Sequence, residues 1–158
     1  DDVELCAVCV AKGMEFLNAP YETIQKVTEE LVRSDGERYC FSKSQEEVDT
    51  LLWEAQLKYV FPLVENYRRY FVKKYYDFIK AALPINNGYG DQVMVPEEAE
   101  LGNLMYLVER GGIPVSAEES MELKRYRKAR NELAHMNLLS NEELCVILKA
   151  GKHKTASD

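Results

Sequence analysis

One stretch of the chain puts chemically capable residue types at a spacing that lets them cooperate. It is Lys124-Arg125-Tyr126-Arg127-Lys128-Ala129-Arg130-Asn131-Glu132-Leu133-Ala134-His135-Met136-Asn137. Five of the seven residues from Lys124 to Arg130 are basic, a pattern that suits contact with a polyanion. Cutting RNA without a metal has three requirements. The 2′-hydroxyl must lose a proton, the leaving 5′-oxygen must gain one, and the charge growing on the phosphate must be stabilised. His135 can act as base or acid, since an imidazole titrates near ~6.5 in water. Arg130 can hold the non-bridging phosphate oxygens with its planar fork. Asn131 can hydrogen-bond a phosphate oxygen or orient His135, and the two share a helix face at a spacing of four. Lys124, Arg125, Arg127 and Lys128 are the candidate RNA-binding residues. Arg130 and His135 are five apart, roughly 140° around an ideal helix. A two-fold partner presenting the same helix would close that gap, so the spacing suggests a site shared between two chains.

Other candidate chemistry is weaker. Cys6 and Cys9 form a C-x-x-C, but they lie in the apolar run Val3-Glu4-Leu5-Cys6-Ala7-Val8-Cys9-Val10-Ala11 rather than where a strand meets a helix. A zinc site would want a second ligand pair, and the histidines are only His135 and His153. The four cysteines therefore read as buried free thiols in a reducing cytosol. No metal and no cofactor is expected. Gly88-Tyr89-Gly90 is no phosphate loop, because no Lys-Ser/Thr follows it and no strand precedes it. Glu54 and Glu65 are eleven apart, too far for a carboxylate pair. With Gln56 and Arg68 they read as a solvated or ion-paired face. The ten tyrosines sit mostly at core or boundary spacing, which favours packing over base stacking.

The elements that must position these residues read as almost wholly helical. A helical pattern covers 3–17 and stops at Asn18-Ala19-Pro20. A second covers 21–33 and ends at the turn Ser34-Asp35-Gly36. Ser44 and Glu47 form a capping box that opens a long helix. Its stripe is Trp53, Leu57, Val60, Val64, Tyr67, Phe71, Tyr75 and Phe78, the core face of a bundle. Pro62 predicts a kink near Lys58 to Pro62 rather than a stop. Residues 84–95 form the longest loop. Pro96 opens a helix over 96–109, which Gly111-Gly112 ends. Ser116 and Glu119 form a second capping box, starting a helix to about Met136. Ser140 and Glu143 start a last one, to Lys149. The expected fold is all-α: a helical bundle of four to six helices with a kinked long central helix. An N-terminal helical segment (1–43) packs on the bundle (44–150), and a disordered tail follows (151–158).

The composition sets bounds on this picture. The 158 residues suffice for one domain with a core, and 46% are hydrophobic and 30% charged. No apolar run approaches the ~18 residues of a membrane span, and no leader-like segment is visible, so a cytoplasmic location without a membrane is expected. The first residue is Asp1, which suggests a processed chain or a piece of a longer one. Twenty basic against 27 acidic residues give a net charge of −7, which opposes general coating of nucleic acid. The acids cluster at helix starts, as at 46–47, 97–98, 118–119 and 142–143, where they complement the helix dipole. The bases concentrate at 124–130.

Arg130-Asn131-Glu132-Leu133-Ala134-His135 resembles the Arg-Asn-x-x-Ala-His form of the Arg-x4–6-His motif of HEPN domains, helical bundles of prokaryotic toxins, CRISPR-associated ribonucleases and antiviral effectors. The resemblance spans about residues 44–150 and is most specific at 130–135. It implies a homodimer whose motif helices face each other, and metal-independent endonuclease action on RNA. In that action Arg130 and His135 are the catalytic pair and Asn131 supports them. A prokaryotic toxin or antiviral defence effector of this kind implies an antitoxin or other inhibitory protein as partner. Asn137 stands where toxins paired with nucleotidyltransferase antitoxins carry a tyrosine, so adenylylation control of that type is not implied. Two alternatives stay open: a non-catalytic helical module that dimerises or binds RNA or protein through the same helix, and a structural domain of a larger protein.

Overall fold

The computed structural model describes residues 2–86 and 92–154. Among the described residues there are eight α-helices, one short 3-10 turn and a two-stranded ribbon of two residues each. The all-α class follows directly. The helices number eight rather than four to six because two of the expected segments are broken by local turns. None of the helices is long and apolar enough to cross a membrane.

The chain divides into two compact units, 1–54 and 55–158, with the division inside the longest helix rather than at 43/44. In the first unit, helix α1 (Val3–Ala11) is capped by Asp2, whose side chain accepts the Leu5 N–H at 3.0 Å and the Tyr39 hydroxyl at 2.9 Å. Gly13 takes φ 57° and breaks the 3–17 segment, so that α2 (Met14–Asn18) is separate. Helix α3 (Pro20–Glu30) packs on both and ends before the Ser34-Asp35-Gly36 turn. Of the four thiols only Cys9 is buried. Cys6, Cys40 and Cys145 are exposed, which corrects the expectation of buried cysteines. The two lie roughly 60° apart on α1, whose one buried residue is Cys9, so Cys6 falls on the exposed side of that narrow inward arc.

The Ser44–Glu47 box forms in both directions, at 2.7 and 3.2 Å, and opens α4 (Gln45–Lys74). The helix runs unbroken through Pro62. In the second unit the stripe is buried at Val60, Val64, Tyr67, Phe71 and Tyr75. It ends there, because Tyr75 leaves helical geometry and α5 (Tyr76–Ala81) begins in a new phase. Ile79 takes the buried position, and Phe78, expected in the stripe, is exposed.

The 84–95 loop contains the ribbon, β1 (Ile85–Asn86) antiparallel to β2 (Gln92–Val93). Gly88-Tyr89-Gly90 lies outside the described residues. The helix expected over 96–109 is split. A 3-10 turn at Pro96–Glu98 precedes α6 (Leu101–Glu109), and the Arg68 guanidinium holds the break by donating to the carbonyls of Glu97 and Ala99 at 2.7 and 3.1 Å. Arg68 is itself fixed by Glu65, at 2.7 and 2.8 Å.

Helix α7 (Ala117–Ala134) carries the motif. Leu123, Tyr126, Ala129 and Leu133 face the core at steps of three and four, and the Tyr126 ring stacks on Tyr67 with centroids 4.0 Å apart. These are packing tyrosines, and burial pushes the Tyr126 hydroxyl up to about 12. Helix α8 (Asn141–Lys154) starts at the Ser140–Glu143 box and runs past the expected end at Lys149, through the first four residues of the expected tail. Residues 155–158 lie outside the described residues.

Candidate functional site

The two ends of α7 are built differently. At its start the capping box between Ser116 and Glu119 forms in both directions, each bond 3.1 Å long. Glu119 also receives the Tyr75 hydroxyl at 2.8 Å and pairs with Lys74. Lys74, with help from the cap, holds the Glu119 carboxyl down at about 2. Both carboxylate oxygens of Glu119 thus accept a hydrogen bond.

The other end stops at Ala134, one residue before the motif ends, with His135 as the C-cap (φ −97°, ψ 14°). The N–H of Met136 donates to Leu133 at 3.2 Å and that of Asn137 to Glu132 at 2.9 Å. These are the two bonds of a Schellman turn. They require a left-handed residue between them, and Met136 takes that conformation at φ 61°. It is the one non-glycine residue with positive φ among the described residues. A side chain with a Cβ costs roughly 1–2 kcal/mol there, partly offset because glycine would lose about 0.5–1 kcal/mol more chain entropy. The Asn137 amide donates to Glu132 Oε2 at 2.9 Å and anchors the turn. Gln56 of α4 holds the chain three residues beyond Met136. It donates to the Leu139 carbonyl at 3.1 Å and accepts the Leu139 N–H at 2.7 Å. No periodicity marks Gln56 as a partner of a residue 83 positions away, and no glycine marks the turn at Met136.

His135 is exposed at the helix end, and Asn131 is half-buried one turn before it. Lys124, Arg127, Lys128, Asn131 and His135 fall within roughly 100° of helix circumference, so α7 gathers them on one strip. Among the described residues the side chains of Lys124, Arg127, Asn131 and His135 make no hydrogen bond or ion pair. Lys128 differs, because it pairs with Glu143 of the α8 cap. That pairing raises the lysine's affinity for its proton and lowers the Glu143 carboxyl. Arg125 lies off the strip. It lines a cleft of about 240 Å³ between α7 and α8 with Ala129, Leu139 and Val146.

Arg130 is half-buried at the edge of the core-facing arc, roughly 140° from His135, and no carboxylate meets its guanidinium among the described residues. One chain therefore does not bring Arg130 and His135 onto one face. It presents an exposed imidazole with a cationic strip, and a half-buried arginine on a neighbouring face of the same helix. Among the described residues no group of three or more His, Cys, Asp or Glu side chains is placed to hold a metal ion. Arrayed cations around an exposed acid–base group can bind a phosphodiester and exchange a proton with it. No family model, curated protein or solved structure matches the chain.

Proposed function

We propose that the chain is a metal-independent endoribonuclease of the HEPN type, a toxin or defence effector that works as a homodimer with the C-terminal halves of two α7 helices face to face. The observation that carries this reading is the cationic strip, unpaired at Lys124 and Arg127, ending in exposed His135, together with a half-buried Arg130 that has no carboxylate partner among the described residues. A guanidinium with no carboxylate partner keeps its planar fork open to a phosphate. In the reaction the imidazole removes the 2′-hydroxyl proton. The 2′-oxygen then attacks phosphorus, and the bond to the 5′-oxygen breaks. That oxygen takes up a proton from the imidazolium so formed, which restores the neutral imidazole and leaves a 2′,3′-cyclic phosphate and a 5′-hydroxyl end. Arg130 stabilises the charge on the non-bridging oxygens, and Asn131 orients the imidazole or a phosphate oxygen. Lys124 and Arg127 hold flanking phosphates. Arg125 and Lys128 contribute less, one turned to the α7–α8 cleft and the other already paired.

The roughly 140° between Arg130 and His135 favours a second reading for the isolated chain, a binding module without cleavage. An RNA cleavage assay in EDTA separates the two. Wild type is expected to cut, while His135→Ala and Arg130→Ala each lose at least about 100-fold in rate with unchanged melting. RNA bound but never cut by wild type would establish the module reading.

A further inference from the structure

Helices α6 and α7 end in the same turn with different residues at its left-handed position. After α6 the N–H of Gly111 donates to Val108 at 3.0 Å and that of Gly112 to Leu107 at 2.8 Å, and Gly111 takes φ 73°. Those are the bonds made after α7 by Met136 and Asn137. The chain uses glycine where the turn only ends a helix, and methionine where the turn follows His135. The Met136 side chain gives nothing back to the core, being 66% exposed. The chain just after it is fastened through the Asn137–Glu132 bond and the Gln56–Leu139 pair.

We propose that Met136 is a base-contacting residue, its thioether packing against the nucleobase beside the phosphate that His135 serves. This rests on the reading of His135 as the acid–base group. Adjacent Cα atoms are about 3.8 Å apart, so a phosphate within reach of His135 places its own nucleoside within reach of a methionine side chain. The thioether is polarizable and unbranched, has no hydrogen-bonding preference that would select one base edge, and packs well on ring faces. Such a contact serves binding rather than proton transfer, and a fixed turn presents it without further loss of backbone freedom.

The test measures melting, kcat and KM for wild type, Met136→Gly and Met136→Leu on a single-stranded RNA, and on the same RNA made abasic next to the mapped cut. Met136→Gly is expected to melt no lower than wild type and up to about 3 °C higher, because relief of the left-handed strain outweighs the added chain entropy. Its KM should rise roughly three- to tenfold with kcat within twofold, and Met136→Leu should restore most of the binding. The abasic RNA should raise the wild-type KM by a similar factor and leave that of Met136→Gly unchanged. A Met136→Gly protein with wild-type KM, or abasic RNA that penalises both proteins equally, overturns the inference while His135→Ala still abolishes cleavage. A lower melting point for Met136→Gly assigns the side chain to the fold and also overturns it. If His135→Ala and wild type behave alike, the reading of His135 fails and takes this contact with it.

Discussion

The ends of α6 and α7 are one structural device used twice. Both close with the same two backbone bonds, and both need a left-handed residue between them. At Gly111 residue and conformation agree, and a Cβ built there would meet nothing within 4 Å, so φ alone selects glycine. At Met136 they disagree, on an exposed surface, next to the one histidine whose side chain is described. Local inconsistency of this kind concentrates where a protein meets a ligand, because there the fold is not the only demand on the residue.

The largest effect that would sharpen this contrast is on cleavage. His135→Ala and Arg130→Ala, at the inconsistent end, are expected to lose at least about 100-fold in rate, whereas changes at the α6 turn leave the rate unchanged. Next comes the start of α7, where Ser116 and Glu119 are paired with each other and Glu119 with Lys74 and Tyr75. Glu119→Ala removes a cap, a tyrosine hydrogen bond and an ion pair, and is expected to cost about 1–3 kcal/mol in denaturant melts without altering cleavage per folded molecule. The same group gives a pH signature. Its carboxyl is lowered in the folded chain from 4.5 to about 2, so its stabilisation is complete above pH 4.5 and is lost as the pH falls toward 2. Melting of wild type across that window should steepen relative to Glu119→Gln, and parallel curves would show that the pairing does not stabilise the fold. Gly111→Ala is expected to cost about 1 kcal/mol, the net of left-handed strain and reduced chain entropy. Were it neutral, the strain assigned to Met136 would lose its internal reference. The smallest effects are on the strip. Lys124→Ala and Arg127→Ala should each reduce the salt dependence of RNA binding by about one unit of slope, and Lys128→Ala by less, since Glu143 already neutralises it.

Much of the frame is legible in the sequence because its signals are local. Three boxes, at Ser44, Ser116 and Ser140, cap helices as their Ser-x-x-Glu spacing predicts. The aromatic stripe reads correctly from Val60 to Tyr75, and fails at Phe78 because a break in helix phase leaves no mark on hydrophobic spacing. The roughly 140° between Arg130 and His135 also follows from spacing, since one helix sets it, whereas their burial does not. What escapes is non-local or unsignalled. The Gln56 clamp on Leu139 joins residues far apart in sequence. The stop at Ala134 lacks the glycine that normally announces it. Lys128 looks like its basic neighbours until α8 brings Glu143 against it.

In the proposed reaction the end of α7 serves an attack by a 2′-hydroxyl on its own phosphate. The most direct measurement is cleavage in EDTA of an RNA with a mapped cut, beside the same RNA carrying a single 2′-deoxy sugar 5′ to that cut. The first RNA is expected to give a 2′,3′-cyclic phosphate and the second no cut at that position, with His135→Ala inactive on both. A cut at the deoxy position, or wild-type activity retained by His135→Ala, would contradict it.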